Sequence, residues 1–241
     1  ATTQEAPIMT TATAMTKFEL LEEDIEVDLN IALLDGEEFI TIEDTVLTQD
    51  IDEFTIVGWI RPDFSEGSHD STVVSKQNSF KLFLTDSGFE QQEGHTVIDT
   101  DHTVNLSVYD GVKWFTVSGD TEILEDWYYF AVVVDGSKAS LYLDGAVEGK
   151  MILEKKVPLS AAIEEGICRQ AECTVSTKMS VSDKDIVIGA YSEIRMLPNK
   201  IGIPTPDYRA FDNFSGLVSS IEVYGDAFTD KQISKLYMED K

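Results

Sequence analysis

With 241 residues, 42% of them hydrophobic and 10% aromatic, the chain has apolar surface enough for a full core, which excludes wholesale disorder and fits one all-β sandwich domain. Its 45 Asp and Glu against 18 Lys and Arg give a formal net charge of −27, spread along the length, so like-charge repulsion excludes nucleic acid and anionic lipid surfaces as partners. No stretch approaches the roughly 18 apolar residues of a membrane helix, and membrane insertion is not expected.

The first thirty residues form an N-terminal extension, 1–30, ahead of one domain, 31–241. A start at Ala1 without an initiator Met fits a secreted chain after signal removal, and equally a trimmed one. Within the extension, "IMTTATAMTKFELL" has high β propensity and almost no charge up to Lys17. Ile8, Met9, Thr10, Thr11, Thr13 and Met15 are the residues expected to pair along an exposed sheet edge.

Short runs rich in Val, Ile, Phe, Tyr and Thr then recur between Gly, Asp and Asn punctuation: "EEFITIED", "DEFTIVGWIRPD", "STVVSKQ", "SFKLFLTD", "TVNLSVYDG", "VKWFTVSGD", "WYYFAVVVDG", "KASLYLDG", "DIVIGAY" and "FSGLVSSIEVYG". This is the pattern of an antiparallel β protein, with no helical stretches between strands to make parallel crossovers. Asp-Gly in "YDGVKW" and in "YLDG" supplies the positive φ that tight hairpin turns need. "FAVVVDG" is apolar at successive positions, as in a strand covered on both faces. "KASLYLDG" alternates, with Leu141 and Leu143 on one face and Tyr142 on the other, which predicts one buried side.

The only two cysteines, Cys168 and Cys173 in "GICRQAEC", match neither a CxxC redox pair nor a zinc knuckle. Either they close a small disulfide loop, worth about 2 kcal/mol and implying an oxidising extracytoplasmic setting, or they are two free thiols; the disulfide is favoured. Segments 161–185 and 197–213, the second marked by Pro198, Pro204 and Pro206, read as long surface loops. One helix is expected at the C-terminus, where Thr229 and Gln232 form a capping box and Ile233, Leu236 and Tyr237 make a stripe that packs on the sandwich. The fold class is therefore all-β, an antiparallel two-sheet sandwich with one short C-terminal helix.

The order of these pieces resembles the concanavalin A-like lectin/glucanase superfamily, in particular its laminin G-like and pentraxin-like jelly-roll modules. The likeness rests on Leu34-Asp35-Gly36 and Phe39-Ile40, then Phe54 to Pro62, Trp127 to Gly136, and Leu141 to Gly145. Ile188-Gly189-Ala190 and Phe214-Ser215-Gly216 continue it through Tyr224, Ala227, Thr229, Ile233 and Tyr237. It spans about residues 33 to 238. It implies a jelly-roll sandwich with Trp59 and Trp127 as packing residues, and binding of calcium at the rim or of a glycan. Where the family often has an Asp-Glu pair in the last strand, this chain has Ser219-Ser220.

Enzymes of that superfamily carry a strand of the form ExDxxE, which holds two carboxylates close enough for nucleophile and acid. This sequence has no such strand and no Gly-x-Ser-x-Gly elbow, so an enzyme is not expected. Asn78, Asp86, Asp212 and Asn213 adjoin strand ends and are the candidate oxygen ligands for calcium; the alternative for each is a solvated loop acid or amide. His95, Asp99, Asp101 and His102 lack ligand spacing and read as polar loop. Tyr109 and Trp114 flank the "YDGVKW" turn and are the candidates for a sugar-stacking platform, with plain packing as the alternative. Asn105 and Asn213 open Asn-x-Ser sequons, glycosylation acceptors if the secreting cell uses them.

Two functions follow for an extracellular or cell-surface protein. One is a self-assembling structural subunit of a filament or layer, a homo-oligomer joined through the N-terminal segment, with calcium as the candidate stabilising ion. The other is a monomeric glycan-binding or adhesion module.

Overall fold

A computed structural model of the chain describes residues 31–36, 38–42, 52–64, 71–92, 95–157, 173–198 and 204–241. The segment with Ile8 to Met15, and Cys168, lie outside these residues, and with Cys168 lies the expected pairing to Cys173. β-branched and aromatic residues suit a pleated, half-buried surface, and the runs that carry them become strands in two six-stranded antiparallel sheets.

The first sheet runs in the order β1 (Ile31–Asp35), β16 (Ser215–Tyr224), β3 (Glu53–Pro62), β8 (Tyr128–Asp135), β9 (Lys138–Leu143), β10 (Ala146–Ile152). The second runs β2 (Ile40–Ile42), β13 (Ile186–Ile188), β4 (Ser71–Lys76), β5 (Phe80–Gln92), β6 (His95–Tyr109), β7 (Trp114–Ile123). Two ribbons stand apart: β11 (Glu154–Val157) with β12 (Cys173–Ser176), and β14 (Tyr191–Pro198) with β15 (Pro204–Phe211). The helix α1 spans Asp230–Asp240.

The main core lies between the sheets. Phe54, Ile56 and Ile60 of β3 and Phe130, Val132 and Val134 of β8 pack with Leu82 and Leu84 of β5 and Val104, Leu106 and Val108 of β6. The remaining side chains of β3 and β8 point to the outer face of the first sheet, where α1 covers them. There Val57, Tyr129, Ala131, Val133 and Tyr142 enclose Ile233, and Trp59 and Tyr237 pack alongside. Gln232 Oε1 accepts from the Thr229 N–H at 3.0 Å and from its hydroxyl at 2.7 Å, which fixes the start of the helix. Along one side the sheets nearly meet: a Cβ on Gly149 of β10 would stand 2.4 Å from Val117 Cγ2 of β7. Next to it the Glu148 carboxylate accepts the Asp120 and Thr121 amides at 3.0 and 3.1 Å.

Four expectations need correction. Tyr142 is buried although its strand alternates, because the lead-in to α1 lies over it: its hydroxyl donates to Asp230 Oδ1 at 2.8 Å. Burial and the Asp230 carboxylate push the Tyr142 phenol up to about 12. Segment 161–185 contains β12, and 197–213 contains β15 paired with β14. In an isolated ribbon both strands are edges, so a proline on the outward side removes no ladder bond. His95 to His102 is strand, not loop, because Thr, Val and Ile between the charges pair with β5. The departure at Ser219-Ser220 coincides with a register shift in β16, where Ser220 has φ 50°. No helix among the described residues is long and apolar enough to cross a membrane.

Removing the Ile233 side chain by Ile233→Ala leaves a cavity under α1 and is expected to cost about 2–5 kcal/mol in chemical denaturation. Burial, then the charges of Glu222 and Glu239, hold the Asp240 carboxyl above its usual range. The fold therefore carries a penalty above that raised value and sheds it as pH falls. Asp240→Asn should raise the urea midpoint at pH 7, and the gain should vanish at about pH 3, below the ordinary Asp value of about 3.9.

Candidate functional site

β6 and β7 are joined by Asp110-Gly111-Val112-Lys113, with Tyr109 and Trp114 as register partners on either side. Asp110 Oδ1 accepts the amides of Val112 at 2.9 Å and Lys113 at 2.8 Å, and the Asp110 amide donates to the Lys113 carbonyl at 3.1 Å. Gly111 takes φ 89°, a conformation that side-chain-bearing residues resist. This cross-tied turn presents two rings with centroids 5.1 Å apart. Trp114 is 38% exposed, and a third ring, Tyr191, stands edge-on to it at 6.3 Å.

Below Tyr109 opens a cleft of about 670 Å³ lined also by Asn78, Ser180, Ser182, Asp183 and Lys184. Its far wall is the segment after β12, which is tied to the turn by the Ser180 amide donating to the Tyr109 carbonyl at 2.6 Å. Asn78, read from sequence as a metal ligand, belongs to this cleft, on a turn where it takes φ 57°.

The outer face of the second sheet continues the site. Lys81, Ser107 and Thr116 are register partners across β5, β6 and β7, and the Ser107 and Thr116 hydroxyls lie 2.6 Å apart. The next rung holds Phe83 and Asn105. Asn105 Nδ2 donates to Thr85 Oγ1 and to the Thr103 carbonyl, both at 2.9 Å, and the residue is 3% exposed. The folded chain thus withholds this sequon's acceptor nitrogen from solvent. Lys81 Nζ lies over the Phe83 ring at 4.2 Å and over Tyr191 at 5.8 Å.

Sequence reasoning found Tyr109 and Trp114 but missed Tyr191 and Lys81. Tyr191 directly follows Gly189-Ala190 at the end of β13, and nothing local marks it; the alternation of β5 alone could have put Lys81 on the outer face.

The four oxygen-ligand candidates do not come together. Asn78 follows β4 at one end, whereas Asn213 bridges Thr72 at the other, about 20 Å away for six residues of strand. At that second end the Thr72 amide donates to the Asp212 carbonyl at 2.6 Å, and Asn213 Nδ2 donates to the Gly36 carbonyl at 2.7 Å. Thr72 Oγ1 and Asn213 Oδ1 are both buried with no hydrogen-bond partner. Asp86 pairs with His102 on the adjacent strand. The His102 ring is stacked on Phe64 at 3.7 Å, and its Nδ1 is buried without a partner. Among the described residues no group of three or more His, Cys, Asp or Glu converges on a metal position.

A laminin G-type family model of the concanavalin A-like lectin/glucanases superfamily matches residues 34–162. No curated protein matches the chain in sequence. Among solved structures it is similar to a native heptameric SAP-like pentraxin from Limulus polyphemus, at 17% identity and TM-score 0.51, with 88% of this chain and 83% of that one covered. It is also similar to the binding domain of Paraclostridial Mosquitocidal Protein 1, at 14% identity and TM-score 0.52, covering 89% and 47% of the two chains. The botulinum neurotoxin serotype D binding domain follows at 13% identity and TM-score 0.50, covering 87% and 43%. At these identities the likeness is one of fold, and the chain spans under half the length of the two toxin domains.

Burial raises the Asp110 carboxyl, but the Lys113 and Val112 amides outweigh it and leave the group below its ordinary value. Stability from this turn is then present above the unfolded value and lost as pH falls through the lowered one. Asp110→Ala is expected to cost about 1 kcal/mol at pH 7, with the difference from wild type closing in acid; equal loss at all pH values would show that the carboxylate is not what ties the turn.

Proposed function

Because the chain belongs to the concanavalin A-like lectin/glucanase superfamily, we propose that it is a non-catalytic, extracellular glycan-binding or adhesion module whose ligand stacks on Tyr109, Trp114 and Tyr191. The observation that carries this is the triad of rings, one of them well exposed, on a rigid turn beside a polar cleft. A pyranose offers an apolar C–H face to such rings and hydroxyls to groups like Asn78, Ser180 and Ser182. Trp114 keeps 38% of its surface open to water, so a ligand stacked on it would bury further apolar area. That the toxin neighbours are described as binding domains lends support at the level of fold. A glycan binder should lose at least about tenfold in affinity on Trp114→Ala by calorimetry, since a central aromatic anchor typically carries 2 kcal/mol or more. Undiminished binding in that variant would sink the proposal.

Calcium is a further part of the reading, supported at the Thr72 and Asn213 end. Calcium takes neutral oxygens as well as carboxylates, and the two unpartnered oxygens beside the exposed Asp212 suit it. It would tie three chain segments together there. Thr72→Val discriminates: without calcium the change should be neutral or stabilising, because an unpaired buried hydroxyl costs about 1–3 kcal/mol. Added calcium should raise the wild-type Tm and leave the variant unmoved. No calcium effect on the wild type ends this reading.

A second reading, self-association through residues 1–30, draws on β1. Among the described residues this is the end strand of its sheet, it follows the extension directly, and its Leu33 is 63% exposed. An open edge accepts a donated strand through main-chain hydrogen bonds. Deleting residues 1–16 should convert an oligomer into a folded monomer in sedimentation. A wild type that is already monomeric refutes assembly and leaves the glycan proposal standing.

A further inference from the structure

We infer that the saccharide selected by this platform carries a negative charge, a carboxylate or a sulfate, and that Lys81 is the residue that selects it; the inference rests on the glycan-binding reading. Lys81 sits in the middle of the outer face, on β5, with Ser107 and Thr116 beside it on one rung. Its ammonium is placed by rings, not by acids: Phe83 at 4.2 Å and Tyr191 at 5.8 Å. In a chain with 45 acidic and 18 basic residues, the platform carries two ammoniums set over rings, that of Lys81 and that of Lys113, which lies over Phe115 at 4.3 Å. Lys150 holds Asp230 at 2.8 Å and Lys178 holds Asp52 at 2.6 Å, yet Lys81 forms no ion pair among the described residues.

The difference matters because an aromatic face attracts a cation through its quadrupole without neutralising it. The charge of Lys81 is therefore held in place and still available. Tyr191 relays its position to the binding surface: the same ring that underlies the ammonium stands against Trp114 at 6.3 Å. A sugar on Trp114 has Lys81 one ring away. The described carboxylates of the turn and the cleft are engaged elsewhere. Asp110 is taken up by the Val112 and Lys113 amides, and Asp183 by Lys184 at 2.9 Å. Nearby, the exposed Thr116 hydroxyl can serve the sugar's own hydroxyls.

The net charge of −27 opposes any anion at long range. It does not decide affinity at contact, since exposed charges more than about 8 Å apart are largely screened at physiological salt. A neutral saccharide can accept hydrogen bonds from the Lys81 ammonium, but only an anionic one also pairs with its charge.

The test is the full chain on an array of neutral, carboxylated and sulfated glycans, with wild type, Lys81→Gln, Lys81→Arg and Lys235→Gln compared. Lys235 removes the same charge from α1, far from the platform in the fold, where it pairs with Glu239. The expected result is that acidic glycans dominate wild-type binding and that their advantage over matched neutral glycans falls at least about tenfold in Lys81→Gln. Lys81→Arg should keep the advantage and Lys235→Gln should leave it unchanged. Preference for neutral glycans in the wild type overturns the inference while the glycan-binding reading survives. So does a Lys81→Gln variant that weakens neutral and acidic ligands equally, which would make Lys81 a prop for Tyr191. Equal loss of the acidic advantage in Lys235→Gln would reduce the effect to net charge and also overturn it. Failure of every variant and of the wild type to bind any glycan overturns both readings.

Discussion

Burial of both faces of β3 and β8 is the constraint from which the rest of the architecture follows. Their inward side chains meet β5 and β6, and their outward ones need a lid, which the last eleven-residue element supplies. With α1 on the outside of the first sheet, what stays open there includes a cleft of about 490 Å³ beside the start of the helix, lined by Val133, Ser140, Tyr142 and Lys150. The outside of the second sheet is different. Among the described residues no helix lies over it, and its residues are hydroxyls, amides and rings where the first sheet has valines and tyrosines. The two outer faces thus differ in chemistry: the first is apolar and covered by α1, and the second is polar, with Asn105 and Ser107 buried and Trp114 and Thr116 exposed at its β7 edge.

The acid excess is managed locally. Asp110 and Glu148 spend their charge on main-chain amides at a turn and at the seam between sheets, and Asp230 takes a lysine and a tyrosine. Such carboxylates are structural acceptors, and their presence says little about catalysis. Where burial and neighbouring acids bear on one carboxyl, as burial, Glu222 and Glu239 do on Asp240, the cost appears as a group that resists ionising. The surface charge and the fold therefore pull in opposite directions at only a few identifiable places.

Much of the fold was legible because period and punctuation are local. "FAVVVDG" announced a strand covered on both faces, and the capping pair Thr229 and Gln232 announced α1. What failed depended on partners distant in sequence. Tyr142 looked solvent-facing because its cover comes from Asp230, 88 residues on. The prolines of β15 looked like loop because nothing in the sequence tells an isolated ribbon from an interrupted sheet. The site was half visible for the same reason: Tyr109 and Trp114 share a hairpin and betray each other, whereas Tyr191 and Lys81 arrive from separate strands. The proposed ligand set split because Asn78 and Asn213 sit at opposite ends of β4, a distance that residue type does not encode.

Among the described residues the ribbon of β14 and β15 pairs with itself alone, yet its first residue forms one wall of the platform. The sandwich's hydrogen-bond ladders do not run through it. It packs against β4, and Tyr191 is anchored beside Ala190, whose carbonyl receives the Ser75 hydroxyl at 2.7 Å. On the proposed reading, one wall of the platform therefore rides on the ribbon while Tyr109 and Trp114 stay on the sandwich, so a change in the ribbon would reshape that wall and keep the other two rings.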